Sequence, residues 1–198
     1  AMKSAGIARG AYHFFDLTAS GRDQANVFLD QLKQNGGYEA GDLPPVLDIE
    51  WTTDPAQGTG GPSFPSDDTW QTEALTWLTT VEATLGSRPL IYTDESMAKD
   101  KFDERFAKYP LWVAAYRLPE IHQPTNKPPN PPELTSGPWK NWTIWQYSAY
   151  GNVSGIGTGI DLDVLNMAPA DLVQALRTGE TKRPVEAAKP APLEEKPR

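Results

Sequence analysis

The chain has no cysteine. Disulfides, thiolate nucleophiles and thiolate metal ligands are therefore excluded, although secretion is not. Histidine is almost as scarce. There are two in 198 residues, His13 and His122, too far apart in sequence to suggest a zinc-type cluster. Basic residues are in the minority, with 18 Lys and Arg against 26 Asp and Glu, and the net charge is −8. That balance argues against nucleic acid and anionic membranes as partners. No apolar run approaches the ~20 residues of a membrane-spanning helix, so membrane insertion is not expected. The opening segment Ala1-Met2-Lys3-Ser4-Ala5-Gly6 also lacks the apolar stretch of a signal peptide.

Aromatic residues, in contrast, are abundant: seven Trp, seven Tyr and six Phe. Many aromatics belong to cores, but a surplus also suits a groove that stacks sugars or other rings. The most informative stretch is Leu43-Pro44-Pro45-Val46-Leu47-Asp48-Ile49-Glu50, a short apolar run ending in two carboxylates spaced i, i+2. On a strand such residues share one face, about 6.6 Å apart, with Val46 beside them and Leu47 and Ile49 turned the other way. Two crowded carboxylates resist ionising together, so one pKa should rise while the other stays low. Glu50, with the longer reach, is expected to be the raised one. The pair suits acid chemistry on a glycosidic bond, and equally a cation site or two solvated acids.

Strand-like and helical patterns alternate along the chain. Residues 7–15 read as a buried strand. Ser20-Gly21-Arg22-Asp23 reads as a helix cap, with Ala25, Phe28, Leu29 and Leu32 at helical spacing and Gly36-Gly37 as the stop. The Asp48/Glu50 strand follows, and then a Gly/Pro-rich loop over 51–67. A second helix carries Trp70, Ala74, Trp77, Leu78, Val81 and Leu85 on one face and ends at Gly86. Pro89-Leu90-Ile91-Tyr92-Thr93 reads as a strand. Residues 95–108 read as a polar helix with Met97, Phe102 and Phe106 as its apolar positions. Leu111-Trp112-Val113-Ala114-Ala115-Tyr116 is a further strand. Residues 117–141 hold seven prolines and read as a long loop. Thr143-Ile144-Trp145-Gln146-Tyr147-Ser148 and Ile160-Asp161-Leu162-Asp163-Val164-Leu165 are the last strands, with Gly151, Gly155, Gly157 and Gly159 punctuating the turn between them. A short helix over 169–177 closes the domain, and residues 180–198 form a solvated Pro/Glu/Lys/Ala tail or linker. The alternation points to an α/β fold with a parallel sheet, open or closed into a barrel. In such folds sites gather at strand C-termini, where Asp48, Glu50, Tyr92, Tyr116 and Ser148 all fall.

In order, the segments Gly10-Ala11-Tyr12-His13-Phe14-Phe15, Pro45-Val46-Leu47-Asp48-Ile49-Glu50, Leu90-Ile91-Tyr92-Thr93, Leu111-Trp112-Val113-Ala114-Ala115-Tyr116, Trp142-Thr143-Ile144-Trp145-Gln146-Tyr147-Ser148 and Gly159-Ile160-Asp161-Leu162-Asp163 resemble the family 25 glycoside hydrolases, lysozymes that cut peptidoglycan at N-acetylmuramic acid. The resemblance runs over roughly residues 5–178. It implies an irregular TIM-like β/α barrel with an acidic groove at the strand C-termini and no cofactor or metal. It also implies a general acid at Glu50, and at Asp48 a carboxylate that orients the substrate's 2-acetamido group for attack on the anomeric carbon, giving net retention. Asp161 matches a further acid, ahead of Asp163, and Tyr12, Tyr92, Tyr116 and Trp145 match groove-lining aromatics. The partner implied is the peptidoglycan glycan strand, met by a secreted or cell-wall-associated enzyme that is a monomer when complete.

The family's opening strand–helix–strand unit, roughly 30 residues with an active-site Asp, has no counterpart before Gly6. A barrel incomplete at its N-terminus is therefore expected, with a catalytic domain over 1–179 that is impaired in activity. The second class of function is a non-catalytic peptidoglycan- or chitin-binding module on this fold. A chitinase-like hydrolase has less support, since Pro44, Pro45, Val46 and Leu47 replace the acids that such enzymes place before the pair. Of the remaining features, His13 reads as a core histidine, Trp70 and Trp77 as core, and the acids between Asp94 and Glu104 as a solvated helix face.

Overall fold

A computed structural model describes residues 8–39, 41–50, 66–116 and 128–166 of the chain. Six strands form one sheet in sequence order: β1 (Tyr12–Phe14), β2 (Val46–Asp48), β3 (Leu90–Asp94), β4 (Leu111–Ala114), β5 (Ile144–Val153) and β6 (Gly157–Leu165). The first five run parallel, and β6 returns antiparallel to β5 as a hairpin. With its helices the curled sheet makes a half-barrel, an incomplete form of the β/α barrel expected from the sequence. Among the described residues no helix is long and apolar enough to cross a membrane.

Helices α1 (Gly21–Gln34) and α2 (Asp67–Leu85) pack on each other. The Ser20 hydroxyl caps α1 by accepting the Asp23 N–H, satisfying one donor that the helix leaves unpaired. Asp67 and Asp68 place negative charge at the positive end of α2, and Gly86, at φ 64°, ends it in the left-handed conformation that glycine adopts without strain. The buried stripe of α2, Trp70, Ala74, Trp77, Leu78 and Val81, meets Ala25 and Phe28 of α1 and Leu47, Ile49, Ile91 and Val113 of the sheet. His13 stacks on Trp77, with centroids 5.7 Å apart, and its Nε2 lies 3.0 Å from Gln24 Oε1, so the histidine belongs to this packing layer.

Several sequence expectations are corrected. The strand read over 7–15 is three residues long and lies at the sheet edge, so Tyr12 and Phe14 are 69% and 46% exposed rather than buried. The helix read over 95–108 breaks into α3 (Glu95–Asp100) and a separate 3-10 turn, Glu104–Phe106. Asp94 caps α3 through Ser96 and Met97, whereas Asp103 turns its carboxylate on the Arg105 N–H and starts a new turn. The three apolar positions still reach the core. β5 and β6 extend beyond the strands read from the sequence, so Gly151 and Gly159 sit inside strands, not in the turn. Trp139, inside the proline-rich stretch, is buried; its Nε1–H donates to the Tyr109 carbonyl at 2.8 Å. The 51–65 and 117–127 parts of the expected loops, the 169–177 helix and the 180–198 tail lie outside the described residues.

The seam between α1 and α2 depends on Gly21. Its N–H donates to Glu73 Oε2 at 2.7 Å, and a Cβ there would stand 1.9 Å from the Glu73 carbonyl oxygen. Gly21→Ala must push backbone against backbone. It is expected to cost about 1–3 kcal/mol, read as a lower urea midpoint with an unchanged m-value.

Candidate active site

The pleat of the sheet separates two sets of side chains. Leu47, Ile49, Ile91, Val113 and Trp145 enter the core behind the sheet. The alternate positions Val46, Asp48, Tyr92, Trp112 and Gln146 line a cleft of about 240 Å³ on the concave side, with Tyr12, Glu50 and Asp161. Pairing brings Asp48 opposite Tyr92, and the Ile49 N–H donates to the Tyr92 carbonyl at 2.9 Å, holding Glu50 beside β3 just past the end of β2. Below this level the cleft continues into an apolar hollow lined by Val46, Leu90, Trp112 and Ile144.

That apolar floor governs the electrostatics. Asp48 is partly buried, its Oδ1 has no hydrogen-bond partner among the described residues, and desolvation followed by the Glu50 charge raises its pKa to about 7. Glu50 is also raised, by desolvation and then by Asp94, while the Tyr92 hydroxyl works against the shift. The sequence expectation of one raised and one low carboxyl is corrected: both rise, and Asp48 carries the marked shift. It sits deeper on the strand, whereas Glu50 has a hydroxyl beside it. Tyr92 and Tyr116 are both held well in the neutral form, Tyr116 at about 12, because burial and the surrounding carboxylates oppose a further negative charge. Among the described residues, no lining side chain of the cleft is cationic and no group of three or more His, Asp or Glu could hold a metal ion.

Of the residues singled out from the sequence, Asp48, Glu50, Tyr12, Tyr92 and Asp161 meet at the cleft. Tyr116 stands at its rim, 36% exposed, with its hydroxyl 2.5 Å from Gln146 Oε1. Trp145 does not line the groove. It is 2% exposed, lies in the core and donates its Nε1–H to the Ala115 carbonyl at 2.9 Å. Alternation along β5 turns Trp145 and Tyr147 to the core and leaves Gln146 on the cleft side. Asp163 accepts the Trp112 Nε1–H at 2.8 Å, and crowding by protein raises it to about 6. Gln146, Trp112 and Asp94 were not anticipated. For Gln146 a signal existed, as the single polar side chain in the run Ile144-Trp145-Gln146-Tyr147.

A sequence profile of the glycosyl hydrolases family 25 matches residues 1–156. The chain belongs to that family. Among solved structures, this family 25 chain is similar to the bacterial lysozyme from Streptomyces coelicolor, with 28% identity and a TM-score of 0.65, over 90% of this chain and 76% of that one. It is 33% identical over 181 residues to Lysozyme M1 of Streptomyces globisporus, covering 86% of this chain and 53% of that protein. It is 31% identical over 179 residues to the Escherichia coli (strain K12) protein YegX, covering 90% and 55%. The chain thus spans about half the length of the curated relatives it matches.

The raised pKa of Asp48 has a signed consequence for stability. In the folded state the carboxyl holds its proton up to about pH 7, whereas unfolded it releases it near its ordinary value of 3.8. The native state therefore binds more protons between about pH 4 and 7, and stability falls as pH rises through that window. Asp48→Asn removes this penalty. The variant should match the parent near pH 4 and exceed it at pH 7–8 by on the order of 1 kcal/mol, allowing for solvent screening. Melting temperatures measured across that range test it; a difference that does not grow with pH contradicts the assignment.

Proposed function

We propose that this chain is the catalytic domain of a peptidoglycan hydrolase, a lysozyme of the 1,4-β-N-acetylmuramidase type, acting as a secreted or cell-wall-associated enzyme. The observation that carries the reading is the placement of Asp48 and Glu50 on one wall of an acidic, aromatic cleft in a family 25 fold. The lysozyme names of the similar proteins support the substrate class.

In this reading Glu50 is the general acid. Desolvation and Asp94 keep its carboxyl protonated above the ordinary range, so it can donate to the glycosidic oxygen as the C1–O bond breaks. Asp48 offers an enclosed oxygen with no partner among the described residues. An acetamido N–H of the substrate placed there satisfies it and favours the ionised form. It also turns the acetamido carbonyl oxygen toward C1. That oxygen attacks C1 as the leaving group departs with the Glu50 proton, forming a cyclic oxazolinium whose N–H stays against Asp48. Water then adds to C1 from the vacated side, giving its proton to Glu50, and the acetamido carbonyl is restored. Two inversions give net retention with no protein–sugar bond, the substrate-assisted exception to the two-carboxylate scheme. Asp161 adds negative potential across the cleft from β6, and Tyr12, Tyr92 and Tyr116 supply ring faces and hydroxyls for sugar contacts.

Glu50→Gln keeps the shape and removes the transferable proton. It should lower the rate of wall lysis, followed as turbidity of purified cell walls, by roughly 10²–10⁴. An aryl glycoside whose leaving group needs little protonation should partly rescue Glu50→Gln and not Asp48→Asn, whose defect is lost charge beside the oxazolinium. A reversed rescue pattern exchanges the two roles. Wall lysis unaffected by either substitution refutes the pair as catalytic, and wall binding without lysis by the parent chain would make it a glycan-binding module instead.

A further inference from the structure

Gln146 is 4% exposed and reaches the cleft from β5. Its Oε1 accepts two hydroxyl protons, from Tyr92 of β3 at 2.8 Å and from Tyr116, just past β4, at 2.5 Å. A tyrosine hydroxyl has one proton to give. Tyr92 also stands beside Glu50, because the strand register sets Asp48 opposite Tyr92 and the Ile49 N–H bonds the Tyr92 carbonyl. Two acceptors therefore compete for one proton, the amide oxygen of Gln146 and the carboxylate of Glu50.

We propose that Gln146 is a positioning residue for Glu50: by competing for the Tyr92 hydroxyl proton, it limits the share of that proton given to the Glu50 carboxylate and so preserves Glu50 as a proton donor. The proposal rests on the reading of Glu50 as the general acid. A hydroxyl donated to a carboxylate stabilises the ionised form and makes the group a poorer acid source near neutrality. The direction of the Tyr92 influence on Glu50 is downward, against desolvation and Asp94. Among the described residues, the other groups facing Glu50 are Asp48 from β2, Asp94 from β3, Tyr116 after β4 and Asp161 from β6. None of them is cationic, and of the two tyrosine hydroxyls it is that of Tyr92 that acts to keep Glu50 ionised. Tyr116 fills the second lone pair of the same amide oxygen and holds the amide in the orientation that faces that oxygen toward Tyr92. One buried side chain thus couples three parallel strands to the protonation state of a residue on a fourth element, the segment after β2.

The test is a carbon-13 NMR titration of the Glu50 side-chain carboxyl in the full chain, with the resonance assigned by its loss in Glu50→Gln. This readout needs no turnover and is not moved by a merely structural role. Gln146→Leu removes the competing acceptor, so Tyr92 turns to Glu50 and the midpoint should fall by about one pH unit. Tyr92→Phe alone should raise the midpoint slightly, since the hydroxyl acts on Glu50 downward, and combining it with Gln146→Leu should abolish the fall. Gln146→Glu keeps an acceptor for both hydroxyls and adds negative charge, so its midpoint should rise; it also serves where the leucine variant does not fold. An unmoved midpoint in Gln146→Leu overturns the inference, as does a fall in Gln146→Glu. So does a fall in Tyr92→Phe alone, which would mean that the hydroxyl does not favour the ionised form of Glu50. Undiminished wall lysis by Glu50→Gln would instead overturn the reading beneath it, an outcome separate from the titration.

Discussion

The pleat of the parallel strands is the constraint from which the rest follows. Successive side chains must leave a strand on opposite sides, and here the two sides meet different surroundings. Leu47, Ile49, Ile91 and Val113 are drawn into the aromatic layer around Trp70 and Trp77. With that set committed to the helices, Asp48, Tyr92, Trp112 and Gln146 have no alternative to the concave side. A slip of one residue in the β2 register would drive Asp48 into the hydrophobic layer, where an unpaired carboxylate is prohibitively costly. The positions of the acids are thus a by-product of core burial, enforced by the strongest term in folding.

The same geometry sets their chemistry. Val46, Leu90, Trp112 and Ile144 line the hollow beneath the carboxylates and withhold solvent from below. Asp48 is left with an oxygen that no donor among the described residues satisfies, an unfavourable arrangement for a buried polar atom. A ligand N–H at that oxygen would relieve it, so binding energy and local strain have one source. Residues optimised for folding alone would not be placed in this way, and the tension between a comfortable fold and a reactive cleft is common in enzymes.

Much of this was legible in the order of residues. Helical spacing located α1 and α2 with their core faces, and the Asp48–Glu50 spacing located the cleft wall, because both rest on local periodicity. The exposure of β1 was not legible: Tyr12-His13-Phe14 has the composition of a buried strand, and burial depends on what lies beside a strand, which composition does not encode. The break between α3 and the Glu104–Phe106 turn was hidden because Met97, Phe102 and Phe106 keep apolar spacing through it, while the capping carboxylate of Asp103 decides the backbone. Trp145 was misplaced because a tryptophan suits a sugar groove and a core equally well. The facing of its neighbours Gln146 and Tyr147 was the better guide. The union of Tyr92 and Tyr116 on one amide oxygen joins residues 54 and 30 positions from Gln146, beyond any local pattern.

In this sheet every strand lies next to the strand that precedes it in the chain. Each newly arriving strand therefore finds its hydrogen-bonding edge already present, and none has to insert between two others. Each parallel closure nonetheless spans a long stretch of chain, from Ile91 to Leu111 in one pairing and from Val46 to Leu90 in another, and such non-local pairing is slow. On a ribosome, such a chain can add strands one at a time as they emerge, with β6 folding back on β5 as the last of the six. The cleft is then completed late, since Gln146 and Asp161 arrive with the final hairpin. Premature release after β4 would yield a partly folded sheet bearing Asp48 and Glu50 but no groove to use them.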